Sequence, residues 1–187
     1  MLARYFMYSQ VYLHHIRRIY DIHLKDFLKR WLKYGVFSTD ISDHLSLTDE
    51  EIISAFWAVA FDEKHSLHEE AKRIVRRYHF KVGYERNPSH YEKNPNVCID
   101  IFKAACIEFG TDNLRYDCYF ETSRYNDFPV KCRNNEVVSC TSISSVFNNL
   151  PVVAIEYIFV NRDNLDKFTK WIKPNINDFI KEPSEEA

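Results

Sequence analysis

The chain has 187 residues, of which 45% are apolar and 16% aromatic, and a formal net charge of −2 at pH 7; the length suits one large domain or one and a half small ones with ample material for a core, and near-neutrality argues against a continuous polyanion-binding surface. No apolar run approaches the roughly 18–20 residues that span a bilayer, and charged and polar groups interrupt the first twenty positions, unlike a signal peptide. The five cysteines, an odd number without a C-x-x-C pair, argue against a disulfide framework or zinc knuckle, so the expectation is a cytoplasmic protein, not a membrane one, with most cysteines buried as small hydrophobes.

Seven basic side chains against Asp21 and Asp26 make residues 1–34 locally positive, and no Gly or Pro occurs before Gly35. One long helix over 3–33 is expected. At about 100° per residue, Leu2, Phe6, Leu13, Ile16, Tyr20, Leu24, Phe27 and Trp31 form an apolar stripe. Arg4, Tyr8, Tyr12 and His15 project from the opposite side: a guanidinium, two phenols and an imidazole, a set suited to a phosphorylated, ring-bearing ligand. The same pattern also fits an ordinary solvated face.

A polar stretch over 38–46 follows. Thr48, with Glu51 three residues on, has the spacing of a capping box and opens a helix through Ile52, Ile53, Phe56, Trp57, Val59 and Ala60. Ser66-Leu67-His68-Glu69 resembles another such start, for a helix over 69–78 with Ala71, Ile74 and Val75 inward. Lys72, Arg73, Arg76, Arg77 and Lys81 form a second basic cluster, pointing to discrete phosphate sites or to solubility charge. Residues 83–95 are rich in turn formers and are expected as a loop joining a helical part, 1–82, to a lobe over 96–175.

In that lobe a helix is expected over 96–109, ended by Gly110. Residues 113–122 alternate as a strand, with Leu114, Tyr116, Cys118 and Phe120 on one face. A short strand at 129–133, a helical turn over 142–150 ended by Pro151, a strand at 152–160 dense in β-branched and aromatic residues and a helix over 162–172 complete it. Residues beyond that helix trail off, with a polar tail at 176–187. The fold class is α+β: a helical N-terminal part with a long first helix, then a small antiparallel sheet of about three strands with helices on one side.

With three glycines and no G-x-x-x-x-G-K-[ST], G-x-G-x-x-G or G-x-S-x-G, a phosphate-cradling loop is not expected. His14–His15 and His65/His68 are the close histidine sets, and neither has the spacing of a helical zinc site. The residues by themselves name no complete active site.

Residues 4–15, R-Y-F-M-Y-S-Q-V-Y-L-H-H, resemble a helix of the HD-domain deoxynucleoside triphosphate triphosphohydrolases, in the branch of the SAM-and-HD dNTPase and its bacterial relatives, where it reads approximately R-Y-x-M-F-x-Q-V-Y-x-H-K. Residues 47–58 resemble that family's L-x-D-x-x-I/L helix, residues 73–81 its R-x-x-x-K segment, and the order of elements after 114 its C-terminal lobe. The resemblance implies that Arg4 holds the substrate triphosphate, that Tyr12 packs on the deoxyribose, and that Tyr8 belongs to the same substrate wall. It implies effector-nucleotide contacts at His14, His15, Arg77 and Lys81, with His15 departing from the usual Lys. It further implies a dNTP ligand and a homo-oligomer. The family's chemistry depends on a divalent metal (Mn, Mg, Fe or Zn) held by His…His-Asp…Asp. No His-Asp dipeptide occurs here, so catalytic and metal residues are expected only in a full-length HD enzyme, with this chain as its C-terminal portion, inactive alone. A nucleotide- or single-stranded nucleic-acid-binding module and an unrelated α+β interaction protein are the alternatives.

Overall fold

The computed structural model describes residues 2–120, 127–149 and 153–181. The ends of two expected strands (121–122 and 152), the stop at Pro151 and the second half of the polar tail, 182–187, lie outside the described residues. In chain order the elements are α1 (Leu2–Met7), a π-helical turn (Tyr8–Tyr12), α2 (His15–Trp31), α3 (Ile41–Ser46), α4 (Asp49–Ala60), α5 (His68–Val75), β1 (Lys81–Glu85), α6 (Pro88–Tyr91), α7 (Val97–Phe109), β2 (Leu114–Phe120), β3 (Pro129–Lys131), β4 (Val137–Ser139), α8 (Cys140–Ile143), α9 (Ser145–Asn148), β5 (Ala154–Val160) and α10 (Leu165–Ile180). The α+β class is as expected, with α2 the long N-terminal helix.

The single rod expected over 3–33 is broken. His14 is extended (φ −60°, ψ 133°) and its Nδ1 caps α2 by accepting from the Ile16 amide at 3.3 Å. Leu13 is buried and its carbonyl accepts from Tyr157 Oη at 3.3 Å. Burial of Leu13 and this hydrogen bond override the uninterrupted helix propensity of the segment. The Leu13 amide reaches back to the Tyr8 carbonyl at 2.9 Å, closing the wide π turn. The break also moves the buried stripe: Ile19, His23 and Phe27 are fully buried, whereas Ile16 and Leu24 stay over a third exposed.

The three-stranded sheet runs β1-β5-β2, antiparallel throughout. Its third strand is β1, which takes the start of the stretch expected as a connecting loop. The expected strand at 129–133 instead pairs as β3 with β4 in a separate hairpin. Gly83 marks a register shift between β1 and β5, and a Cβ there would lie 2.5 Å from Val160 Cγ2 and 2.8 Å from Phe168. That close approach requires glycine.

Helices cover both faces of the sheet, not one. Ile158 and Val160 of β5 pack with Leu114 of β2 against Val97, Cys98, Ile101 and Ala105 of α7 and against Phe168 and Ile172 of α10. The alternate residues Tyr157 and Phe159 pack with Phe80 against Ile19 of α2. A strand buried on both sides reads as a nearly continuous apolar run, as β5 does. The C-terminal half of α2 enters a third cluster, where Phe27 meets Phe56, Val59 and Ala60 of α4 and Ala71 of α5.

Two ion pairs fasten α2 to β2. Arg18 donates to both oxygens of Asp117 at 2.6 and 2.5 Å, and Arg115 Nε donates to Asp26 at 2.9 Å. Thr48 caps α4 as expected, accepting from the Glu51 amide at 3.4 Å, and Gly110 (φ +81°) ends α7. The last helix runs past its expected end and past Pro174 to Ile180. Ile176, Phe179 and Ile180 pack on the sheet core, and Asn175 Nδ2 donates to the Trp171 carbonyl at 2.8 Å. Of the cysteines, Cys98 and Cys140 are buried, Cys106 and Cys132 partly so, and Cys118 is exposed; the expectation that most are buried is corrected.

Candidate functional site

The first group of expected ligand residues stays together. Arg4 lies 5.4 Å from the centroid of the Tyr8 ring, Tyr8 meets Tyr12 edge to face at 5.6 Å, and Arg17 stands 5.7 Å from the Tyr12 ring. Arg4, Tyr12 and Arg17 are exposed and Tyr8 half-buried. The result is a cation–aromatic ladder on α1, the π turn and the start of α2. His15, expected on the same face, is carried away by the break: its ring packs edge-on against Tyr157 at 6.2 Å and stacks on His14 at 4.2 Å.

His15 instead lines a cavity of about 470 Å³ with Ile16, Phe80, Lys81, Val82, Arg162 and Leu165. Here α2, β1 and the start of α10 with the turn before it place side chains that are far apart in sequence. Lys81 opens β1, opposite Val160. Arg162 lies in the tight turn between β5 and α10, where Asn161 Oδ1 accepts from the Asp163 amide at 3.3 Å. Behind Lys81 sits the buried His79, whose Nδ1–H donates to the Phe80 carbonyl at 2.8 Å. That leaves Nε2 to accept from Lys81 Nζ at 3.4 Å, so a neutral imidazole holds the ammonium in place.

Among the described residues neither Lys81 nor Arg162 forms an ion pair; Arg162 lies 5.3 Å from the Tyr78 ring, and Tyr78 Oη donates to Asp163. The carboxylate beside Arg162 is thereby turned to a phenol. Two helices also begin at this cavity, α2 at His15 and α10 at Leu165, and their N-terminal amides add positive potential. Burial lowers the pKa of His15, as do His14, His79 and Lys81, against a raising influence from Glu85. Burial also lowers that of His79, opposed by its bond to the Phe80 carbonyl and reinforced by Lys81 and Arg162. Two fixed cations and an imidazole that is neutral near pH 7 thus face one concavity, an arrangement that can receive several phosphate oxygens.

Of the four residues expected to contact an effector, His15 and Lys81 line this cavity and His14 adjoins it by stacking. Arg77 is exposed, in the left-handed region (φ +54°), and is not among the lining residues. Its charge lowers the pKa of the Tyr20 phenol against the larger raising effect of burial, and the Tyr20 ring packs 5.1 Å from His79. Sequence reasoning missed Arg162 and His79. The available signal was an arginine at a strand-to-helix junction, which acquires meaning only once β1 is known to lie beside β5.

Among the described residues no three His, Cys, Asp or Glu side chains come together as a metal site. The described residues do not fit the divalent ion of HD chemistry. The buried Cys98 thiol, pushed up to about 12 by burial and by Glu156, is a core group and not a nucleophile. No helix among the described residues is long and apolar enough to cross a membrane.

The family described as HD associated region matches residues 1–99, more than half of the chain, and the protein belongs to it. It is similar to a hypothetical protein from Aquifex aeolicus, with 26% identity and a TM-score of 0.73 over 92% of this chain and 43% of that one. It also shares its fold with a phosphohydrolase from Bacteroides thetaiotaomicron, with 14% identity and a TM-score of 0.57 over 86% of this chain and 48% of that one. The chain therefore spans less than half the length of either structure. No curated protein matches it.

Proposed function

We propose that the chain is the nucleotide-contacting C-terminal portion of an HD-domain phosphohydrolase that converts a dNTP to deoxynucleoside and triphosphate. In this reading Arg4, Tyr8 and Tyr12 form part of the substrate wall. Arg4 supplies a forked donor to phosphate oxygens, and the tyrosines supply flat faces against sugar and base. His15 and Lys81, with Arg162, take the phosphates of a second, effector nucleotide, His14 and Arg77 flank them, and copies of the chain associate. The observation that carries the reading is the cavity itself: His15 and Lys81, singled out from opposite ends of the helical part, line the same basic concavity.

The test has two arms. Incubated alone with dGTP or dATP and Mn²⁺ or Mg²⁺, the chain is expected to release no triphosphate; a longer polypeptide carrying an H…HD…D segment ahead of residue 1 is expected to release it, and Arg4→Ala there to raise KM or abolish turnover. Nucleotide at a hundred times its Kd should stabilise the isolated chain by about 2.7 kcal/mol. An unchanged Tm in millimolar dGTP and dATP, with wild-type kinetics in Arg4→Ala, overturns the reading.

The exposed ladder of Arg4, Tyr8, Tyr12 and Arg17 favours one second reading, a single-stranded nucleic-acid surface. That reading predicts oligonucleotide binding that weakens steeply with salt and survives Lys81→Ala.

A further inference from the structure

We propose that the cavity between α2, β1 and α10 binds its polyphosphate ligand together with a proton, which His15 takes up from solvent. The inference rests on the nucleotide reading of that cavity and adds a pH-dependent control to it. The cavity offers two permanent cations, Lys81 and Arg162, and one group that can become a third, His15. The buried imidazole of His79 cannot play that part. His79 donates through Nδ1 to the Phe80 carbonyl and accepts from Lys81 through Nε2, so protonating it would set a cation against the Lys81 ammonium 3.4 Å away.

Each element around His15 brings a charged, titratable or aromatic group near it. From its own segment His14 stacks on it; from β1 come Lys81 and Glu85, from the strand's lead-in His79, from β5 the Tyr157 ring edge, and from the turn before α10 Arg162, which shares the cavity. Of these, Glu85 alone carries a negative charge, so the empty cavity keeps the imidazole neutral near pH 7. A triphosphate chain seated on Lys81 and Arg162 brings several negative charges beside the ring and reverses that balance. The bound state then holds a proton that the free state lacks, and by linkage affinity must rise as pH falls through the bound-state value. A lysine at this position would be charged in both states and would show no such response.

The experiment measures Kd by calorimetry for inorganic tripolyphosphate, dATP and dGTP, in EDTA at fixed ionic strength, from pH 5.5 to 8.0. Wild type is compared with His15→Lys. The ligand's own terminal-phosphate proton is common to both proteins and cancels in the ratio of their affinities. That ratio is expected to shift toward wild type by roughly tenfold between pH 8.0 and 5.5, the factor for one modest charge–charge interaction at a solvent-facing site. Arg162→Ala should weaken binding at every pH in both backgrounds without altering the shift. Should His15→Lys fail to fold, His15→Asn, neutral throughout, must lose the gain at low pH. Binding by the dNTPs but not by tripolyphosphate marks the nucleoside as part of what is recognised, and the ratio is then read on the dNTPs. A ratio independent of pH, with both proteins binding, overturns the proton uptake while leaving the nucleotide reading intact. Binding of none of the three ligands by either protein overturns both.

Discussion

His23 should make the fold sensitive to acid. It sits in the middle of α2, fully buried, with Nε2 accepting the Phe80 amide at 3.2 Å and its ring edge-on to the Phe80 ring at 5.0 Å. An acceptor nitrogen must be unprotonated, and burial, followed by the charges of Arg73 and Arg115 and by His79, lowers the pKa from 6.5 to about 3. Between those values the unfolded chain binds a proton that the native one refuses. The contribution to stability is therefore complete above pH 6.5 and is lost as pH falls toward 3, at about 1.4 kcal/mol per pH unit. At pH 5 the loss is about 2 kcal/mol, a sizeable share of the 5–15 kcal/mol that holds an ordinary domain together. Urea unfolding followed by tryptophan fluorescence between pH 5 and 7.5 gives the measurement, with His23→Gln as the comparison. The glutamine oxygen can still accept from Phe80 but cannot titrate, and the remaining histidines and carboxylates contribute equally to both proteins. The stability difference between the two should change by about 2 kcal/mol across that range, in favour of the variant at low pH. A difference that stays constant with pH would refute the reasoning.

The two ion pairs between α2 and β2 should be unequal. Asp117→Ala breaks a bidentate pair whose carboxylate side chain is only 9% exposed, and should cost about 3 kcal/mol by chemical denaturation. Asp26→Ala removes a pair in which both side chains are over a quarter exposed, and should cost under about 1 kcal/mol. Equal losses would show that burial does not set their worth. Gly83→Ala forces a methyl group against Val160 and Phe168 and should lower stability by about 1–3 kcal/mol, visible as a lower Tm.

The parts of the fold legible in the sequence are those in which local pattern and burial agree. Thr48 capped α4 because the hydroxyl, the amide three residues on and the apolar run behind them are all local. Residues 154–160 announced a strand because burial on both faces leaves no polar alternation to confuse the pattern. β1 escaped because Gly83, which the approach of Val160 and Phe168 requires, looks like a loop residue when those neighbours are unknown. Leu13 and His14 escaped for a related reason: nothing within residues 1–34 disfavours a helix there, and the break is imposed by Tyr157, 144 residues away from Leu13. The candidate site follows the same division. Arg4, Tyr8 and Tyr12 share a face by spacing alone, whereas the neighbours of Lys81 depend on the pairing of β1 with β5.

That dependence on tertiary pairing bears on how a ligand in the cavity would be felt. α2 begins there with His15, continues through Ile19 into the cluster under the sheet, and ends with Phe27 among α4 and α5. Lys81 belongs to a strand paired with β5, and Leu165 starts the helix that covers the opposite face. A ligand held by groups on α2, on β1 and beside α10 therefore bridges elements from three core clusters. Opening any of those clusters would separate its contacts. Its binding energy should accordingly appear in global unfolding and not merely in the protection of one loop.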